Sequence, residues 1–145
     1  MRVVLDVNLL VSARLTPMGE AQAILDQADA RYDLLLSGFI LQQVERVLNY
    51  PRIQSSFPHL TQDAIATYLT RLRTTGNLVI ETTRVQVSPD SEDNRILAAA
   101  VDGQADYLVT RNLSHFPSTY GQVKIVSPSD FHRLIRQMKG RPRDH

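Results

Sequence analysis

Short apolar runs of strand length alternate with helical stretches along the chain, and that alternation restricts the fold more than any other feature of the sequence. Arg2–Leu5 (RVVL), Asp33–Leu36 (DLLL), Leu78–Glu81 (LVIE), Tyr107–Thr110 (YLVT) and Val123–Val126 (VKIV) read as strands. The first of them reads as a buried strand. Gly19–Arg31 carries Ala21, Ile24, Leu25 and Ala28 at i, i+3, i+4 and i+7, so it reads as a helix. A second helix starts at Ser37 or Gly38 and runs through Asn49, with Pro51 as its stop. Arg52–Thr61 holds Ser55, Ser56 and Pro58 and reads as a loop. Gln62–Thr75 is helical and closes at Gly76; Ser91–Asp102 is helical and closes at Gly103. Pro128 opens a last helix to about Met138. The order β-α-β-α-α-β-α-β-β-α predicts a three-layer α/β/α sandwich around a mostly parallel sheet.

The 145 residues suit one domain, expected over residues 1–138, with a basic, flexible tail at Lys139–His145 (KGRPRDH). The chain has no cysteine, which excludes disulfides, thiol catalysis and Cys-based zinc sites. Asp6 interrupts the first apolar run too early for a secretory signal, and no stretch approaches the roughly 18 apolar residues of a membrane span. A soluble cytoplasmic protein is the expectation. The formal net charge of +1 is not that of a strongly basic nucleic-acid binder. Yet only Lys124 and Lys139 among the 16 basic residues are Lys; the rest are Arg, whose planar fork suits phosphate oxygens.

In parallel α/β sheets ligands gather outside the carboxyl ends of the strands. Asp6 and Asn8 follow the first strand, Ser37 the second, and Thr110, Arg111 and Asn112 the fourth. Asp6 has two readings, a helix N-cap or a site carboxylate. Asp93 falls in register with Ile96, Leu97 and Ala100, on the inward stripe of its helix, while Asp90 or Ser91 can cap that helix. An inward carboxylate is costly unless it is paired or binds a metal. Glu45 sits at the margin of the stripe Ile40, Leu41, Val44, Val47 and Leu48, so it reads either as a solvated flank charge or as a third site carboxylate. Carboxylates meeting at one rim would repel each other, and a hard divalent cation removes that difficulty. His59, His115, His132 and His145 are scattered without zinc-site spacing.

At these residues the sequence resembles the PIN-domain family. VVLDVNLLVSA is similar to its opening motif, LLLSGFILQQVERVLNYPRI to its second, and SPDSEDNRILAAAVDGQADYLVTRNLSHF to its third and fourth. The detail resembles the branch that comprises toxin components of toxin–antitoxin pairs. The resemblance implies a parallel five-stranded sheet of order 3-2-1-4-5. It implies that Asp6, Glu45 and Asp93 are acidic metal ligands for Mg²⁺ or Mn²⁺, and that Asn112 takes the place of a fourth polar or acidic catalytic residue. Asn8, Ser37 and Thr110 would hold the carboxylates. Val7 stands where the family usually has Thr, and Asn112 where many members have Asp; Asp90 is a substitute for the missing charge.

The activity so implied is endonucleolytic hydrolysis of RNA, leaving 5′-phosphate and 3′-hydroxyl ends, with Arg14, Arg111 and the tail as phosphate contacts. The implied partners are single-stranded RNA, a small antitoxin protein and a second copy of the chain. A different reading is a catalytically weak or inactive RNA- or protein-binding module, favoured by Val7 and Asn112. A receiver-type signalling domain needs an acceptor Asp where Ser37 stands, and a haloacid-dehalogenase-like phosphatase needs Asp where Asn8 stands.

Overall fold

The computed structural model describes residues 1–138; the tail Lys139–His145 lies outside the described residues. The elements are β1 (Arg2–Leu5), α1 (Val7–Leu15), α2 (Glu20–Asp26), β2 (Asp33–Ser37), α3 (Gly38–Leu48), α4 (Pro51–Ser56), α5 (Gln62–Thr75), β3 (Asn77–Val79), α6 (Ser91–Asp102), β4 (Tyr107–Val109), β5 (Thr119–Tyr120), β6 (Val123–Val126) and α7 (Pro128–Arg136). A single turn of 3-10 helix, Leu113–His115, follows β4. The strands form one sheet of order β3-β2-β1-β4-β6-β5.

The first five positions of that order match the expected 3-2-1-4-5, with β6 as the expected fifth strand, and their pairings are all parallel. The correction is a sixth strand, the two-residue β5, which pairs antiparallel with β6 at one edge. Gly121, at φ +58°, makes the tight turn between them, a conformation that suits glycine. Two residues are too few to leave a periodic trace in a sequence.

Successive strand residues point to opposite faces of a sheet. Val3, Val4 and Leu5 of β1 and Leu34, Leu35 and Leu36 of β2 are all buried, so both faces are covered around the sheet centre. The helix α6 lies against β1, β2 and β4, and its run Ala98, Ala99 and Ala100 is buried. Gly103 ends α6 in a right-handed conformation, so its smallness serves packing rather than a left-handed cap. A Cβ there would stand 2.8 Å from both Leu35 Cδ1 and Val79 Cγ2. Gly76 is likewise extended, and a Cβ would reach 2.5 Å from Leu36 Cδ1. Tyr32 and Phe131, both fully buried, meet edge to face at 5.2 Å and tie β2 to α7.

Several elements differ from the sequence reading. The helix α1 buries Val7, Leu9, Leu10, Val11 and Ala13, which do not form a narrow stripe, so no amphipathic pattern announced it. The helix α2 ends at Asp26, five residues before the expected Arg31, and the chain then turns through left-handed Asp29. Pro51 opens α4 at its first helical position, in a stretch read as loop. The strand β3 covers Asn77–Val79 instead of Leu78–Glu81 and forms a sheet edge, where Leu78 and Ile80 are exposed.

The carboxyl ends of β1, β2 and β4 share a rim. At β1 the strand order reverses, with β2 and β3 to one side and β4 and β6 to the other. A crevice is expected there in a doubly wound sheet.

Candidate active site

Asp6 leaves β1 and Thr110 leaves β4, and the pairing Leu5 with Val109 sets the two side by side. The Asp6 carbonyl accepts from the Leu9 and Leu10 N–H groups at 3.0 and 3.2 Å, which starts α1. Its side chain makes no capping bond to α1. Instead, the Thr110 hydroxyl donates to Asp6 Oδ2 at 2.7 Å, and the Asn112 N–H donates to the Thr110 hydroxyl oxygen at 3.0 Å. Asp6 and Thr110 are both buried.

Asp93 enters from the first turn of α6. That helix is capped by Asp90, whose Oδ1 accepts from the Glu92 N–H at 2.8 Å, so Asp93 is not needed as a cap. Asp93 is also buried, and its Oδ2 lies 3.2 Å from His115 Nδ1. Asp6, Asp90 and Asp93 line one cleft of about 280 Å³, together with Asn8, Asn112 and His115.

Burial pushes the Asp6 carboxyl above its ordinary range; the Thr110 and Val7 donors and His115 oppose this, and Asp90 adds to it. Burial likewise raises Asp93, with Asp90 and then Asp6 adding repulsion and His115 opposing it. The two buried carboxylates therefore share one electrostatic environment, short of positive charge.

Glu45 is not part of it. On α3 the residues that face the cleft are Phe39, Gln43 and Val47, spaced four apart. Glu45 is two positions past Gln43, roughly 200° around a helix. It is exposed and lines a separate groove of about 920 Å³ with Arg46, Asn49, Arg73 and Leu78. Of its two readings, the solvated flank charge is the one the structure holds. The polar α3 side chain that lines the cleft is the neutral amide of Gln43, whose oxygen accepts from Arg46 at 3.4 Å and which also borders the Glu45 groove.

Other expected residues take different places. Ser37 is buried, but its hydroxyl accepts from the Ile40 N–H at 3.1 Å and caps α3, holding no carboxylate. Asn8 lines the cleft and has no hydrogen bond to either carboxylate among the described residues. Arg111 donates to the Ser12 hydroxyl at 2.9 Å, outside the residues that line the cleft. Arg14 lines a groove between α1, α2 and α5.

His115, Gln43, Tyr50 and Arg52 line the cleft without having been singled out for it. His115 had a signal: it stands three residues after Asn112, in the same turn beyond β4. Gln43 had one too, since it lies four residues after Phe39 on α3. Tyr50 and Arg52 had none, because α4 was not recognised.

The donor set is hard: two carboxylates, with the amide oxygens of Asn8, Gln43 and Asn112 around them. Mg²⁺ is commonly held through one or two carboxylates, with waters and substrate oxygens completing its shell. Asp6 and Asp93 fit that pattern. A closed cage does not fit, because no group of three or more His, Cys, Asp or Glu side chains among the described residues is disposed to hold an ion.

The sequence matches the family model described as the PIN domain over residues 2–114. No curated protein sequence matches the chain. Among solved structures the fold is similar to VapBC2 from Rickettsia felis bound to a DNA fragment from their promoter, at TM-score 0.61 and 13% identity, covering 88% of this chain and 98% of that one. It is also similar to FitAcB from Neisseria gonorrhoeae, at TM-score 0.52, 15% identity and the same coverages. FitAB bound to an IR36 DNA fragment aligns at TM-score 0.52 and 16% identity, covering 87% and 94%. At these identities the structures speak for the fold alone, whereas the family model spans the cleft from Asp6 to Asn112. The chain belongs to the PIN-domain family.

Proposed function

We propose that this chain is a divalent-cation-dependent endoribonuclease, the toxin of a toxin–antitoxin pair. The observation that carries the reading is the pair Asp6 and Asp93. Two buried carboxylates from different elements face one cleft with raised pKa and without a Lys or Arg ion pair among the described residues. Such a pair is destabilising by itself, and it is retained most readily where a cation completes it.

The reaction is hydrolysis of an RNA phosphodiester: water adds to phosphorus and the bond to the 3′ oxygen breaks. Bound Mg²⁺ or Mn²⁺ supplies charge neutralisation at the phosphate and a more acidic water. Asp6 and Asp93 would hold the cation. Thr110 holds Asp6 through Oδ2, and His115 holds Asp93 through Oδ2, so each carboxylate is braced by a side chain from beyond β4. Asp90 adds negative charge beside them, in the role left open by Asn112. Asn8, Gln43 and Asn112 orient water through their amides.

VapBC2 and FitAB were each solved on a DNA fragment. By analogy we assign this chain a small antitoxin that covers the acidic cleft, and a second copy of itself as dimer partner. No helix among the described residues is long and apolar enough to cross a membrane; a cytoplasmic site of action is part of the same reading.

One observation favours the second reading, a catalytically weak or inactive binding module: amides stand at Gln43 and Asn112, where carboxylates would strengthen a cation site. One experiment separates them. Wild type, Asp6→Ala and Asp93→Asn are titrated with Mn²⁺ by calorimetry and incubated with single-stranded RNA in Mg²⁺ or Mn²⁺. The nuclease reading expects binding and cleavage by wild type only. Wild type that neither binds Mn²⁺ nor cleaves overturns it in favour of the module.

A further inference from the structure

The cleft has two unlike walls. Asp6, Asp90 and Asp93 make one of them acidic. The other is built from the end of α3 and the start of α4, and presents Val47, Tyr50, Arg52 and Ile53. This second wall falls at the end of the second motif, in residues to which that motif assigns no role.

Tyr50 is a large ring left 37% exposed at the mouth of the cleft. Its backbone is fixed. Pro51 restricts the residue before it to extended conformations, and Tyr50 sits at φ −60°, ψ 137°. The Gln54 side-chain amide donates to the Leu48 carbonyl at 2.7 Å and pins α4 back onto α3. An exposed ring on a braced turn is a preformed platform.

Arg52 is exposed and has no hydrogen bond or ion pair among the described residues. The neighbouring guanidinium groups are committed. Arg46 pairs with Glu92 at 3.4 Å, Arg95 pairs with Glu81 at 3.0 Å and lies 4.0 Å over the Phe39 ring, and Arg111 donates to Ser12. Arg52 is thus the cation of the cleft lining that is free to take an anion.

We infer that Tyr50 and Arg52 form a nucleotide-binding wall for single-stranded RNA, where one unstacked base lies on the Tyr50 ring and an adjacent phosphate meets the Arg52 guanidinium. The ligand class follows from the pairing of groups. An aromatic face takes any base but needs it splayed out of a helix, which excludes a continuous duplex. A planar guanidinium suits a phosphate oxygen pair. Held in this way, the strand is carried across a cleft whose opposite wall would repel it. The inference rests on the nuclease reading for its choice of RNA, and it assigns that site its substrate contacts.

The test uses the full chain and a fluorescein-labelled, unstructured oligoribonucleotide of about twelve nucleotides, within the range such sites span. Anisotropy is read in EDTA at low salt for wild type, Tyr50→Ala, Tyr50→Phe and Arg52→Gln. Tyr50→Ala is expected to weaken binding about tenfold, the usual effect of losing one stacked base, and Tyr50→Phe to bind as wild type. Arg52→Gln is expected to weaken binding and to lower the slope of log affinity against log salt by about 0.7, the value for one contact to a single strand. All variants should melt as wild type, because both side chains are exposed.

Wild type that binds no RNA, or variants that bind it equally well, overturn the inference. A Tyr50→Ala loss shared by Tyr50→Phe, or accompanied by a lower melting temperature, overturns the stacking role. The nuclease reading is judged separately, by cleavage in Mg²⁺ or Mn²⁺. Wild type that cleaves while Tyr50→Ala and Arg52→Gln keep its KM sinks the wall and spares the nuclease. RNA binding with the expected losses but no cleavage sinks the nuclease and spares the wall.

Discussion

The Thr110 hydroxyl reaches Asp6 Oδ2 at 2.7 Å across the junction of the two central strands, over a separation of 104 residues. The bond joins the two sides of the sheet at the point where their order reverses, and it accounts for one oxygen of a buried carboxylate. Thr110→Val keeps the shape and removes the donor. A hydrogen bond to a charged group contributes roughly 1.5–3 kcal/mol, so the variant should lose stability of that order and bind Mn²⁺ more weakly. Thr110→Ser should restore both. Urea unfolding and calorimetry check it, and a Val variant as stable as wild type would remove the bond from the account.

If the nuclease reading holds, Asp93→Asn should lower cleavage by roughly two orders of magnitude or more, since it removes a charge that would hold the cation. The same change should stabilise the protein without divalent cation. Burial, Asp90 and Asp6 raise the folded pKa of Asp93 above the ordinary 3.8, so the folded state binds its proton more tightly than the unfolded state. Stability from this group is therefore greatest at low pH and falls as pH rises from the unfolded value through the raised folded one. Melting curves against pH in EDTA should show that decline in wild type and a smaller one in Asp93→Asn. Equal slopes would mean that Asp93 carries no electrostatic penalty.

The two acidic-site assignments on α3 separate cleanly. Glu45→Gln should leave Mn²⁺ affinity and cleavage within about twofold of wild type, because an exposed charge in another groove contributes little here. Gln43→Glu places a carboxylate in the cleft and should raise Mn²⁺ affinity about tenfold, the worth of roughly 1.4 kcal/mol. Calorimetry on both variants decides it. Loss of Mn²⁺ binding in Glu45→Gln would return that residue to the site.

These contrasts show what a sequence can carry. The five parallel strands were legible because apolar runs of strand length alternate with helical stretches, whereas their order followed only from the resemblance to the PIN-domain family. Asp6 and Asp93 were legible because each interrupts an apolar pattern on its inward side. The α3 contribution was not. Glu45 and Gln43 lie two residues apart near the edge of one stripe, and only the rotation of α3 against the sheet decides which of them lines the cleft. The helix α4 was hidden for another reason: the proline read as the end of one helix is also favoured at the start of the next.

Gly103→Ala should destabilise the fold by about 1–3 kcal/mol, the usual effect of overpacking. The new methyl would stand 2.8 Å from Leu35 and Val79, which hold β2 and β3 beneath the end of α6. Urea unfolding checks it; an unchanged midpoint would mean that the core yields more readily than its contacts suggest.

The placement of β4 between β1 and β6 has a consequence for the birth of the protein. Asp6 is translated more than a hundred residues before its hydrogen-bonding partner Thr110 and before His115. Until β4 docks beside β1, the Asp6 carboxylate lacks its Thr110 donor, and a nascent chain cannot complete the cleft. On the nuclease reading, a chain so arranged could not act on the messenger that encodes it before β4 has been translated and docked.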